Sequence, residues 1–144
     1  GGSHIIAQRW VHDLDAWNAL SVDQQEKNFG RKKFPGIEKT DTQEAYSHLS
    51  HVELREDGNH GAEASPKRNE IARRSTPYAF HDGKVGLYFM AFCKDQAPLR
   101  ERMRMMYGLD EANGVRDAMT DYSNPASGSF YFAPSEETLD SITG

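Results

Sequence analysis

Six histidines, two adjacent arginines and one cysteine are the residues of this 144-residue sequence with the most chemistry to offer. His48 and His51 lie three apart in Ser47-His48-Leu49-Ser50-His51. On a helix that spacing puts both imidazoles on one face, which suits a metal ion. No third ligand follows nearby, and a histidine taken alone is more often structural than ligating. The others, His4, His12, His60 and His81, are scattered. Arg73 and Arg74 precede Ser75-Thr76-Pro77 in a stretch that reads as strand. Successive strand residues point to opposite faces, so one guanidinium can meet water while the other enters a pocket. The plain alternative is two surface cations. Cys93 closes the apolar run Leu87–Cys93. It has no partner for a disulfide and reads as a small core residue.

Several chemistries are disfavoured. The sequence has no P-loop, no GxGxxG, no HExxH and no GxSxG. A net charge of −5 argues against a broad nucleic-acid face. Arg100, Arg102 and Arg104 alternate with other residues in a helical stretch and read as a solvated helix face. No run approaches the roughly 18 apolar residues that span a bilayer, so no membrane partner is expected. No signal peptide is visible, and a single thiol fits a reducing, cytoplasmic setting. The opening Gly1-Gly2-Ser3 lacks an initiator Met. It is either a tag remnant or natural sequence of a chain that begins partway through a longer protein.

The elements that must hold these residues are legible from pattern. Residues 3–11 read as a strand. Asp13 offers an N-cap to a short helix bearing Leu14, Trp17 and Leu20, and Ser21 opens a second helix, with Gln24 at capping-box spacing and Gly30 as its stop. Residues 31–46 form a long polar connection, and residues 56–68 a polar loop or hairpin tip. Residues 71–78 read as a strand ended by Pro77. Val85 to Cys93 reads as a strand covered on both faces. Pro98 starts a helix that Gly108 stops, residues 116–122 form a short helix, and residues 129–133 a last strand. Ser135 caps a closing helix. Strands outside a regular βαβ alternation predict an α+β domain, an antiparallel sheet with helices packed on one face, filling residues 1–144.

Together these segments resemble the C-terminal half of dye-decolourising peroxidases of the bacterial cytoplasmic type. The likeness is carried by His12-Asp13-Leu14-Asp15-Ala16-Trp17-Asn18-Ala19-Leu20 after Ile5 to Trp10, and by residues 26–32 (EKNFGRK), 86–92 (GLYFMAF) and 128–135 (GSFYFAPS). It runs over nearly the whole chain. The resemblance implies a ferredoxin-like domain, one half of that two-domain fold, and haem b as cofactor. In similar proteins a histidine in an S-H-[VIL] context holds the haem iron. Ser47-His48-Leu49 matches without a gap through Gly58, so His48 is the implied axial ligand, with His51 in Ser50-His51-Val52 as the alternative. A carboxylate on the far ring nitrogen is implied too, with Asp121 the first candidate and Asp117 behind it. Ile71-Ala72-Arg73-Arg74-Ser75-Thr76-Pro77-Tyr78 matches the family's distal arginine pattern. Arg73 becomes the inward cation, stabilising charge on the leaving oxygen of a peroxide, and Ser75 a hydrogen-bonding neighbour.

Two departures stand out. The connection from His48 to Arg73 is longer than is usual in the family, with the excess around residues 59–67. The family's GxxDG motif, which carries a distal aspartate, does not occur. The implied partners are hydrogen peroxide, small aromatic reductants and an N-terminal half of the same protein, with homo-oligomerisation expected. Trp10, Trp17, Tyr46 and Tyr107 are either electron relays or core packing. Two other readings stay open: a haem-handling protein without peroxidase turnover, and a haem-free ferredoxin-like assembly module.

Overall fold

The computed structural model describes residues 1–34, 43–53, 71–109 and 114–143. The polar loop at residues 56–68, with its extra length, lies outside them, as does the middle of the 31–46 connection. Along the chain run β1 (Gly2–His12), α1 (Leu14–Asn18), α2 (Val22–Phe29), α3 (His48–Val52), β2 (Ala72–Ala79) and β3 (Val85–Cys93). Then follow α4 (Ala97–Met106), a 3-10 turn (Ala118–Asp121), β4 (Ser123–Pro134) and α5 (Glu136–Thr143).

Local chemistry sets most of these boundaries. Asp13 accepts from Ala16 N at 2.9 Å and caps α1. Ser21 and Gln24 form a full capping box at the start of α2, and Gly30 closes that helix at φ 90°, a left-handed conformation that glycine adopts without strain. Ser135 accepts from Thr138 N at 3.3 Å at the start of α5.

The sheet order is β2-β3-β1-β4. Strands β2 and β3 are antiparallel from Ala72↔Phe92 to Ala79↔Val85, and the sheet is antiparallel throughout. Strands β1 and β2 flank β3, while β3 and β4 flank β1, which is the ferredoxin-like topology. The outer strands each contain a proline, Pro77 in β2 and Pro125 in β4. A residue without an N–H is tolerated where that position faces away from the ladder. Hence β2 runs through Pro77 to Ala79 instead of stopping there, and β4 begins at Ser123, six residues before its apolar Ser-Phe-Tyr-Phe-Ala core.

The chain divides into two compact units. One comprises residues 1–11, 70–100 and 125–144. Its interior is mostly apolar, built on Ile6, Ala7, Trp10, Ala91 and Leu99, with Gln8 buried among them and accepting from Trp10 Nε1 at 3.3 Å. Here Gly86 permits a close approach: a Cβ would lie 1.9 Å from Trp10 O, the carbonyl that accepts the Tyr78 hydroxyl at 2.7 Å. Strand β3 is not covered on both faces, because Tyr88 stays 46% exposed, and Cys93 is half-buried instead of core. Phe130, Tyr131 and Phe132 of β4 are likewise exposed.

The other unit, residues 12–69 and 101–124, has a different interior. Beside Leu49 and Met105 it buries Gln25, Ser47, Ser50, His51, Asp117, Thr120 and Ser123. Buried polar groups are stable only when hydrogen-bonded, so their partners dictate the geometry here. Arg102 is one correction to the solvated-face expectation: its Nε donates to Val52 O at 3.2 Å.

Candidate functional site

Helix α3 has only five residues, too few for propensity to hold it, and it is held by its ends. At the N-terminus Ser47 is the cap, its hydroxyl accepting from Ser50 N at 3.3 Å and meeting Ser50 Oγ at 2.7 Å. Ser50 Oγ donates onward to Glu44 O at 2.9 Å. Gln43 Nε2 donates to Gly30 O at 2.8 Å, tying this corner to the end of α2. At the other end Arg31 pairs with Glu53 at 3.2 Å, beside the Arg102 bond to Val52 O. The first residue of this pinned turn is His48.

His48 Nδ1 lies 2.6 Å from Asp117 Oδ2. The Asp117 side chain is fully buried, while that of His48 is 26% exposed. Asp117 is itself rigid. It caps the 3-10 turn, with Oδ1 accepting from Met119 N at 2.8 Å, and its own N–H donates to Met106 O at 3.0 Å. Its carbonyl accepts from Thr120 Oγ1 at 2.6 Å. A carboxylate only accepts, so His48 donates through Nδ1, and the neutral ring in that tautomer carries its lone pair on Nε2. The ring of Phe29 packs 5.6 Å from the His48 ring, tilted by 31°. A single imidazole nitrogen, in the ligating tautomer and backed by a buried carboxylate, is the donor set an axial haem ligand requires.

His51 is a different object. It is 4% exposed, and both ring nitrogens are spent on backbone carbonyls, Nδ1 on Ser47 O at 2.7 Å and Nε2 on Val115 O at 2.8 Å. Neither nitrogen is available to a metal. The i,i+3 spacing therefore does not build a two-histidine site, and among the described residues no cluster of three or more His, Cys, Asp or Glu side chains is placed to hold a metal ion.

Asp121 does not reach His48. It forms an exposed ion pair with Arg116, and the carboxylate at the imidazole is that of Asp117. Arg73 and Ser75 sit in the other unit, on one side of β2, opposite Ala91 and Phe89 of β3. Both are exposed there, as is Arg74 on the opposite side. Of the aromatic residues, Trp10 is buried at 7% exposure, whereas Trp17 meets Tyr122 edge-on at 5.3 Å. Tyr107 is half-buried, and burial pushes its phenol above the ordinary value. Sequence reasoning did not single out Phe29, Gln43 or the carbonyl of Val115. The one available signal was Phe29 in the middle of the EKNFGRK segment, as the last residue of α2.

A ferredoxin-like α+β domain with one carboxylate-backed imidazole is the class that fold and site define. The chain belongs to the family of Dyp-type peroxidases, C-terminal, whose model matches residues 1–138. It is 30% identical over 143 residues to a dye-decolorizing peroxidase of Brevibacterium linens, covering 99% of this chain and 37% of the relative. It is also 30% identical to one of Mycobacterium tuberculosis, covering 97% of this chain and 40% of the relative. It thus spans about two fifths of these relatives. Among solved structures it resembles DyPB from Rhodococcus jostii RHA1, with TM-score 0.84 at 33% identity over 98% of this chain and 43% of the other. It also resembles a dye-decolorizing protein from V. cholerae, with TM-score 0.82 at 33% identity over 98% of this chain and 44% of the other. A variant of the R. jostii protein in complex with heme matches with TM-score 0.83 at 32% identity, over 98% of this chain and 44% of the other.

Proposed function

We propose that this chain is the haem-binding part of a haem peroxidase, with Nε2 of His48 as the axial ligand of haem b. The observation that carries the reading is the 2.6 Å contact between His48 Nδ1 and the buried Asp117 carboxylate. Haem, when bound, supplies the oxidising chemistry between hydrogen peroxide and small aromatic reductants. The chain's own residues supply the rest. Asp117 fixes the His48 tautomer and strengthens its donation. The Arg73 guanidinium provides positive charge for the leaving oxygen of a peroxide, and the Ser75 hydroxyl orients a peroxide or water by hydrogen bonding. The remaining portion, the length by which the relatives exceed this chain, provides the acid–base group that moves the peroxide proton. Association with that portion and with further copies completes the assembly, in a cytoplasmic setting.

The test uses the full-length protein. Added haem is expected to give a Soret band that His48→Ala abolishes and His51→Ala does not abolish. Arg73→Ala is expected to cut peroxide-dependent dye oxidation by about 10²-fold or more while haem content stays. Haem binding without turnover in the unmodified protein would leave a haem-handling role, and no Soret band at all would leave an assembly module. Loss of the band in His51→Ala but not in His48→Ala would overturn the ligand assignment.

A further inference from the structure

The polar interior around α3 contains one group that the proposed chemistry does not use. His51 is almost completely buried, and each ring nitrogen ends on a main-chain carbonyl. A carbonyl oxygen only accepts, so the ring's N–H is directed to main chain at whichever nitrogen carries it. The two acceptors are placed tellingly. Ser47 directly precedes His48 and caps its helix, and Val115 stands two residues before Asp117. The imidazole therefore ties the segment that carries the ligand candidate to the segment that carries its carboxylate. A main-chain bond runs alongside it, Ala118 N to Tyr46 O at 2.8 Å. Together these links bracket the His48–Asp117 contact, with donors and acceptors on both sides of it. An apolar side chain of the same size would fill the space but leave the Ser47 and Val115 carbonyls without this partner and release one of the two ties.

We propose that His51 is a positioning residue, a brace between two main-chain segments that holds His48 and Asp117 in register and so sets how strongly His48 donates through Nε2. The inference rests on His48 being the axial ligand. It concerns strength and geometry of ligation rather than its existence. With the brace loosened, Asp117 and His48 drift apart, the Nδ1–H bond weakens, and the ring loses its single tautomer and part of its basicity.

The experiment uses the full-length protein with His51→Leu, which keeps the volume and removes both ring nitrogens, and His51→Gln, which keeps one polar N–H group. Imidazole ¹⁵N shifts before haem addition report the His48 tautomer. Midpoint potential and haem dissociation after loading report donation. His51→Leu is expected to give a mixed His48 tautomer, a midpoint potential shifted upward and about tenfold faster haem loss. His51→Gln is expected to fall between it and the parent. Should His51→Leu not fold, His51→Gln decides alone. Parent-like ¹⁵N shifts and midpoint potential in His51→Gln and in folded His51→Leu, whatever their melting temperatures, would overturn the proposal. If His48→Ala retained normal haem binding, the ligand reading would fail. The ¹⁵N measurement would still judge the brace.

Discussion

Replacing Asp117 by asparagine swaps one side-chain oxygen for an amide nitrogen and reverses one hydrogen bond. Asparagine is as good an N-cap as aspartate, so its carbonyl can keep the bond from Met119 N, and the 3-10 turn survives. The amide NH₂ then faces His48 Nδ1, which the native carboxylate holds as a donor at 2.6 Å. Two donors repel. The ring relieves this by moving its proton to Nε2, the nitrogen assigned to iron. Loss of a carboxylate partner behind a ligating histidine weakens metal binding by about 10- to 100-fold, roughly 1.4–2.7 kcal/mol. D117N should therefore lower haem affinity in that range with little change in melting temperature. D117A should lose affinity too, but also about 1 kcal/mol of stability through the missing cap. D121N is the control. Its carboxylate pairs with Arg116 in an exposed contact, the kind of pair that contributes about 0–1 kcal/mol. Haem titration followed by the Soret band, together with thermal melting, reads all three. D117N binding haem as tightly as the parent, or no more weakly than D121N, would refute the reasoning.

Three further expectations concern the surroundings. Gly30→Ala puts a Cβ 2.7 Å from Gln43 Oε1 and 2.8 Å from Leu49 Cβ at φ +90°. A left-handed non-glycine residue costs about 1–2 kcal/mol before any clash, so its melting temperature should fall and haem affinity with it. Ser21→Ala removes the capping box of α2 and should cost about 0.5–2 kcal/mol in denaturant unfolding, with no change in ligand spectra. His12 titrates below its ordinary 6.5 because burial penalises the charged ring, which faces Ser123 Oγ at 2.8 Å. The unfolded chain then binds the proton more readily, so stability falls as pH drops from 6.5 towards the lower folded value. His12→Asn should flatten the melting temperature across that window. An equal slope in both proteins would exclude His12 as the cause.

What could be foreseen follows the range of the forces involved. The caps at Asp13, Ser21, Gly30 and Ser135 act within a few residues, and each sits where its residue type predicts. The topology was legible as a class, because alternating and apolar runs mark strands without naming their neighbours. The strand ends were less so: Pro77 reads as the end of its strand until the sheet order places it on an outer strand, and β4 starts well before the residues that read as strand. The carboxylate at His48 depended on tertiary register. Asp117 and Asp121 are four apart, close enough in sequence to compete for one role. The turn between them is 3-10 with Asp117 as its cap, which buries one and exposes the other. His51 was still less legible. Nothing in Ser50-His51-Val52 announces that the ring folds back on Ser47 O and reaches Val115, 64 residues away.

The prolines of the two outer strands bear on what the margins of this sheet can accept. A β-sheet with bare margins invites strands from other molecules to extend it without limit. Here a newcomer at either margin would find one rung absent, at Pro77 on one side and Pro125 on the other. Continuous ribbon growth is thereby discouraged at both borders. What β4 offers beside that gap is a row of exposed side chains, Phe130, Tyr131 and Phe132, instead of an unbroken ladder.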